Sequence, residues 1–224
     1  MTRFWWSLVR FGFRLLYNEL AFTYDTVSWI VSLGAWRCWI DTALPHLGDE
    51  SPVLELAHGT GNLQLDLAAA GYRAVGYDLS PAMGNIARGK LLRKGIPARL
   101  ARGRAQRLPF AANSFAAVVS TFPTEFVTAP ETLREVSRVL RPGGVFVIVP
   151  NAVLVGGGRA GQALEWLYRA TGQRGTVNRE ALASLFAPFA VEVFEERCPR
   201  SLVTVIVARK LPPNAGWNSG ISML

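Results

Sequence analysis

VLELAHGTGN, running from Val53 to Asn62, is the stretch that decides the fold of this chain. Val53 to Ala57 is an apolar run of strand length, interrupted only by Glu55, and it breaks into a turn carrying Gly59 and Gly61. An amphipathic helix is predicted to begin near Asn62. Glycine at both turn positions admits backbone conformations that a side chain forbids, and lets a ligand come close to the main chain. A nucleotide-type cofactor is the usual guest of such a strand–turn–helix unit. A second strand, AVGYD, ends in Asp78, placed where a carboxylate takes two ribose hydroxyls in dinucleotide-type folds.

The nicotinamide fingerprint asks for a third glycine three residues after the second, for close packing around a pyrophosphate. Gln64 stands there. A cofactor without phosphates needs no such cradle, which points to S-adenosylmethionine and away from a nicotinamide enzyme. Two later stretches agree: LPFAANSFAAVVSTF (Leu108 to Phe122) and LREVSRVLRPGGVFVIV (Leu133 to Val149). In order and spacing these segments resemble the class I S-adenosylmethionine-dependent methyltransferases, closely over Val53 to Val149 and more loosely over Tyr24 to Leu47. Within that family the chain is most similar to the ubiquinone/menaquinone C-methyltransferases and their phospholipid N-methyltransferase relatives. YDTVSWIVSLGAWRCW, Tyr24 to Trp39, resembles their pre-core helix.

Carried over residue by residue, the resemblance implies that Glu55, Gly59 and Gly61 surround the amino-acid half of the cofactor. Asp78 then holds the ribose and Leu79 packs on the adenine. Two positions depart from the family pattern. Arg104 occupies the slot of an acid that accepts from the adenine amino group, and arginine accepts nothing. That contact passes to Ala105, Gln106 or backbone. His58 stands where a small residue or cysteine is commoner, and either touches the methionine carboxylate or caps the loop.

Alternating strands and helices predict an α/β, Rossmann-like doubly wound sheet closed by a C-terminal antiparallel pair, Val191–Glu196 and Leu202–Arg209, with N-terminal helices as a lid. The expected divisions are 1–47 for those helices, 48–210 for the cofactor-binding core and 211–224 for a flexible tail. Helices are expected over Thr2–Leu20, Val27–Leu44, Asn62–Ala70, Pro81–Lys94, Pro130–Leu140, Gln162–Thr171 and Asn178–Phe186. A hinge is expected at Gly156 to Gly158, and a turn at Arg141-Pro142-Gly143-Gly144.

Composition bounds the remainder. The 224 residues suit one domain, half of them hydrophobic and 18% charged. Cys38 and Cys198 show no metal-ligand spacing and read as buried reduced thiols. No apolar run reaches the ~18 residues of a spanning helix, and Arg10 and Arg14 interrupt any signal-peptide core. A cytoplasmic protein is expected, peripheral on the inner membrane face. That last expectation comes from TRFWWSLVRFGFRLLYN, residues 2–18. Arg3, Ser7, Arg10, Arg14 and Asn18 fall there on one helical face, and aromatic and aliphatic residues cover the others. A lid over the substrate pocket would bury the same residues.

Net charge is +8, and no acid occurs between Asp78 and Glu125, a span with eight Lys and Arg. Such a cluster draws an anionic membrane surface or nucleic acid. The greasy N-terminus favours the membrane. The chemistry implied is in-line methyl transfer to a lipid-like acceptor, a quinone precursor or phospholipid headgroup. Tyr24, Asp25 and Glu125 are the acceptor-side candidates, with Thr124 beside them. A soluble small-molecule acceptor and a non-catalytic cofactor-binding module are the alternatives. No metal is expected, and the acceptor atom and oligomeric state stay open.

Overall fold

Strands β1 (Val53–Leu56), β2 (Ala74–Asp78), β3 (Leu100–Arg102), β4 (Phe115–Thr121), β5 (Leu140–Leu154), β6 (Phe189–Cys198) and β7 (Ser201–Lys210) form one sheet. Their order is β3-β2-β1-β4-β5-β7-β6. In this computed structural model the described residues are 7, 11–12, 14–155, 158–171, 184–187 and 189–212. The first five strands pair in parallel, while β7 runs antiparallel to both β5 and β6. From β1 the chain winds outward to β3 and then returns to β4. The reversal leaves a crevice at the carboxyl ends of β1 and β4, where open α/β sheets bind ligands.

Both faces of the sheet are covered, so its central strands are apolar on both sides. Val145, Val147 and Val149 of β5, with Val203, Val205 and Val207 of β7, join one core. Phe146 and Ile148, with Ile206 and Ala208, join the other. This is the two-residue alternation of a strand. The first core is roofed by α2 (Trp36–Asp41) and α3 (Asn62–Ala69), the second by α5 (Pro130–Val139). Helix α4 (Pro81–Arg93) follows β2, and α6 (Gly158–Ala170) follows β5.

The helix expected over Val27–Leu44 is in fact three pieces: α1 (Tyr24–Val31), α2 and a 3-10 turn at Leu44–His46. Leu33 (φ 52°) and Gly34 (φ 83°) enter the left-handed region and end α1, with Gly34 N–H bonded back to Trp29 O at 2.8 Å. Ser32 Oγ then accepts from Trp36 N–H at 2.9 Å and caps the next helix. The Arg141–Gly144 reversal is likewise not a loop outside the sheet. It is a bulge within β5, where the ladder passes from Phe115–Leu140 directly to Ala117–Val145 and Gly143 adopts φ 77°.

Cys38 and Cys198 form a disulfide, with Cα atoms 6.0 Å apart, which corrects the reading of two reduced thiols. Sequence separation hid it, because only the folded topology lays α2 across the β6–β7 hairpin. Trp39 Nε1–H donates to Ser201 Oγ at 2.6 Å beside it, and Arg37 pairs with Asp66 of α3. Residues 2–6, 8–10 and 13 of the helix expected at Thr2–Leu20, residues 178–183 of that expected at Asn178–Phe186, Gly156 and Gly157 of the hinge and the tail beyond Pro212 lie outside the described residues.

Candidate active site

The turn after β1 holds three left-handed residues: Ala57 (φ 57°), Gly59 (φ 53°) and Gly61 (φ 80°). Its two glycines do different work. A Cβ on Gly61 would lie 2.7 Å from Ala87 Cβ, so this glycine lets the turn pack on α4. A Cβ on Gly59 would meet nothing within 4 Å, which leaves that side open to a ligand. Gly59 N–H donates to Asp78 Oδ2 at 2.9 Å and Ser80 N–H to Oδ1 at 2.7 Å. The carboxylate is thereby fixed, with lone pairs remaining for ligand hydroxyls.

Glu55 is 2% exposed, and its Oε2 accepts from Gln64 Nε2–H at 2.7 Å. Burial pushes its pKa up to about 8, the Gln64 bond pulling the other way. A protonated carboxyl in that position becomes a carboxylate when a cation arrives beside it. His58 is buried with its Nδ1 2.8 Å from Gly59 O, so Nδ1 carries the proton and donates. Burial holds its pKa below the ordinary value against the pull of Asp78. Its ring lies so close to Gly76 that a Cβ there would stand 2.8 Å from Cδ2. The imidazole is spent on the loop's own backbone and on β2.

The N-terminal residues fold onto this turn. Asp25 Oδ1 accepts from Thr60 Oγ1–H at 2.6 Å and Asn62 Nδ2–H at 3.0 Å, and Oδ2 meets Lys90 Nζ at 2.5 Å. Burial alone would raise this carboxyl's pKa, but the bonds from Lys90, Thr60 and Asn62 together hold it below the usual range. Ser80 Oγ–H, on the N-cap of α4, donates to Tyr17 O at 2.6 Å. Tyr24, adjacent to Asp25, sits edge-on to Trp36 with ring centroids 6.1 Å apart. Trp36 lies 4.5 Å from Phe122, and Trp39 lies 5.8 Å from the same ring. Phe122 follows β4 in a left-handed conformation (φ 48°), held by Phe122 N–H to Val149 O at 2.7 Å. A non-glycine residue held there at the mouth of a crevice is strain of the kind that functional sites carry. Burial raises the Tyr24 hydroxyl's pKa well above the ordinary value, so it stays protonated.

The structure thus gathers Glu55, His58, Gly59, Gly61, Asp78, Tyr24 and Asp25 around one turn. Leu79 is 57% exposed at the end of β2, a free apolar face beside the Asp78 carboxylate. Ala105 is buried while Gln106 and Arg104 are exposed, leaving Ala105 and the backbone as the inner wall of that loop. Thr124 and Glu125 are exposed at a 3-10 turn (Glu125–Thr128) three residues from Phe122. Sequence reasoning missed Thr60, Asn62 and Lys90 as partners of Asp25, and Phe122 as a member of the ring group. For Phe122 the signal was available, since an aromatic at the carboxyl end of a central strand faces the crevice. For Lys90 it was not, because its charge is submerged among eight cations in the same span. A surface cleft of about 530 Å³ beside Leu133 and Lys210 lies on α5, away from this turn.

Residues 53–144 match a family model described as a methyltransferase domain. A demethylmenaquinone methyltransferase of Thermus thermophilus is 36% identical over 139 residues, 60% of this chain and 63% of the relative. That of Beutenbergia cavernae is 39% identical over 136 residues, 59% and 55% of the two chains. A ubiquinone/menaquinone biosynthesis C-methyltransferase of Coxiella burnetii is 34% identical over 142 residues, 60% and 57%. The chain spans about three fifths of the length of these curated relatives. Among solved structures, a possible histamine N-methyltransferase of Thermotoga maritima superposes with TM-score 0.59 at 21% identity, covering 84% of this chain and 96% of that one. Geranyl diphosphate C-methyltransferase of Streptomyces coelicolor gives TM-score 0.59 at 15% identity, with 78% and 79% covered. These two show the fold. The part that matches a methyltransferase domain begins at β1 and takes in the glycine turn and Asp78, and over that part the chain is similar to the ubiquinone/menaquinone C-methyltransferases.

Proposed function

We propose that this protein methylates a hydrophobic, ring-bearing acceptor of the quinone-precursor class, using S-adenosylmethionine, at an anionic membrane surface. The observation that carries this reading is the aromatic group of Tyr24, Trp36 and Phe122, backed by the buried Trp39, on a segment whose Asp25 bonds the glycine turn. Flat rings are the natural neighbours of a flat aromatic acceptor.

The residues present fit the cofactor. Gly59 offers the open side of the turn, Asp78 takes the ribose hydroxyls, and Leu79 with Ala105 flanks the adenine. Glu55 meets the amino group of the methionine half. When bound, S-adenosylmethionine supplies a methyl already activated by its sulfonium, so the protein's task is alignment and exclusion of water. Tyr24 keeps its proton and orients an acceptor oxygen as a donor. Asp25 is saturated with hydrogen bonds and holds the lid. Glu125 is then the carboxylate that positions or deprotonates the acceptor.

The location follows the same reading: peripheral, on the inner membrane face, with residues 2–18 contributing contact. No helix among the described residues is long and apolar enough to cross a membrane, and net charge is +8. The Cys38–Cys198 disulfide and the Trp39–Ser201 bond keep α2 on the hairpin. The test is transfer of labelled methyl to a short-chain naphthoquinol by the wild-type and Glu125→Gln proteins. Label in the organic phase from wild type, lowered roughly a hundredfold by the substitution, is expected. Intact S-adenosylhomocysteine binding with no transfer to any quinol sinks the acceptor class, and an unimpaired Glu125→Gln protein removes that residue's role.

A further inference from the structure

We propose that the outer faces of α1 and α6 together form the surface by which the protein docks on an anionic phospholipid bilayer. The inference rests on the acceptor reading above and names the face through which a lipid-like acceptor arrives.

Each helix divides cleanly into an inner and an outer side. On α1 and the turn before it, Phe22, Thr26, Trp29 and Ile30 are exposed at helical spacing, Phe22 by 75%, Trp29 by 63% and Ile30 by 53%. The inner side carries Asp25, bonded to the glycine turn, and the buried Ser28. On α6 the exposed positions are Arg159, Gln162, Ala163, Trp166 and Leu167, with Trp166 at 69%, and Arg169 is exposed on their flank. Its inner side packs Leu164 and Tyr168 on the core, and Glu165 accepts from Leu154 N–H at 2.8 Å. Tyr168 Oη–H donates to Val31 O at 3.0 Å and ties α6 to the end of α1.

The charges select the partner. The acids of both helices are engaged by donors, Asp25 by Thr60, Asn62 and Lys90, and Glu165 by Leu154 N–H. Arg159 and Arg169 point outward with Trp29 and Trp166. Exposed tryptophans flanked by arginines match the headgroup region of a bilayer carrying acidic lipids. A monomer seldom leaves this much large apolar side chain in water without use. The same α1 holds Tyr24 against Trp36, so docking brings the acceptor rings within about one helix diameter, ~10 Å, of the lipid.

The experiment uses the full chain with vesicles of phosphatidylcholine, with and without phosphatidylglycerol. It follows tryptophan quenching by brominated acyl chains and co-sedimentation. Wild type is expected to bind the anionic vesicles, more weakly as salt rises, with Trp29 and Trp166 quenched. The Trp29→Ser/Trp166→Ser protein should bind roughly tenfold or more weakly, and Arg159→Gln/Arg169→Gln should lose most of the preference for phosphatidylglycerol. S-adenosylhomocysteine affinity and transfer to a water-soluble naphthoquinol, measured without lipid, should not change in either variant. These exposed positions lie outside both machineries, so retained binding also certifies the fold. Equal vesicle binding by wild type and the tryptophan variant overturns the proposal, and so does no vesicle binding at all. A wild-type dimer in sedimentation that the tryptophan changes turn into monomer would also overturn it, assigning the face to a second copy of the chain. Failure of the naphthoquinol assay with intact vesicle binding strikes the acceptor reading instead.

Discussion

Replacing Glu55 with Gln separates what that residue costs the fold from what it gives the ligand. Glu55 is 2% exposed, and burial carries its pKa from an ordinary 4.5 up to about 8. Between those values the folded chain holds a proton that the unfolded chain has released, so stability falls as pH rises through the window. The contribution is whole below about pH 4.5 and is lost as pH climbs through the folded value. Each pH unit costs ~1.4 kcal/mol, which makes the loss between about pH 5 and pH 7 roughly 2–3 kcal/mol. Glutamine is isosteric with the protonated acid and its carbonyl still accepts from Gln64 Nε2–H, so Glu55→Gln should be spared this loss. Urea midpoints measured across the range should therefore show the variant gaining on wild type by about that amount as pH rises. Asp66, also raised to about 7, is common to both proteins and cancels. Calorimetry with S-adenosylhomocysteine should show the opposite ranking. Wild-type affinity climbs toward pH 8 as Glu55 yields its proton to meet the ligand's ammonium, while the variant binds weakly and without that slope. Parallel urea curves would refute the buried-acid argument. Equal ligand affinities would refute the contact with the ammonium.

The two glycines of the turn should respond differently to alanine. Gly61→Ala combines φ 80° with a contact of 2.7 Å and should cost about 2–4 kcal/mol of stability in urea titration. Gly59→Ala meets no atom and should cost only about 1–2 kcal/mol, yet fill the open side and abolish S-adenosylhomocysteine binding. Reduction by dithiothreitol should lower the melting temperature, since the bridge closes a loop of 160 residues, worth up to ~5 kcal/mol in the chain-entropy account. Cys38→Ser/Cys198→Ser should start lower and show no response to reductant. A wild-type curve indifferent to reductant would mean that the folded topology alone pins α2.

The alternation of strand and helix was legible because each signal was local. The apolar run ending in Gly59 and Gly61, the Asp78 terminus of β2 and proline at the start of α4 and α5 each depend on a few neighbouring residues. What stayed hidden was set by contacts distant in sequence. The break at Leu33 and Gly34 leaves Ser32 to cap α2, which a helical pattern running through both segments conceals. Gln64 was read as a missing glycine, and that negative sign pointed to the right cofactor class. Its positive role as the partner of Glu55 needed the buried geometry of α3 against β1. His58 offered two readings, and its ring against Gly76 belongs to neither in full: it holds the loop by its own backbone and packs on β2.

The adjacency of Tyr24 and Asp25 explains how the two halves of the site share one support. Neighbouring residues on a helix diverge by about 100°, so α1 aims one side chain at the glycine turn and the next at the acceptor rings. Asp25 reaches Thr60 on that turn, Asn62 at the start of α3 and Lys90 on α4, three donors from three neighbouring pieces of chain. Tyr24 meets Trp36, which leads through the Phe122 ring to the end of β4. A second tie joins Tyr17 O to Ser80, two residues beyond Asp78. The N-terminal segment is therefore fastened both to the glycine turn and to the start of α4. Each neutral bond of this set is worth about 1 kcal/mol and a charged one roughly twice that. On the proposed reading, displacing this segment would break them together, and water exclusion and alignment of the rings would share one event. The cost falls on a short helix of eight residues, which has little stability of its own away from these partners.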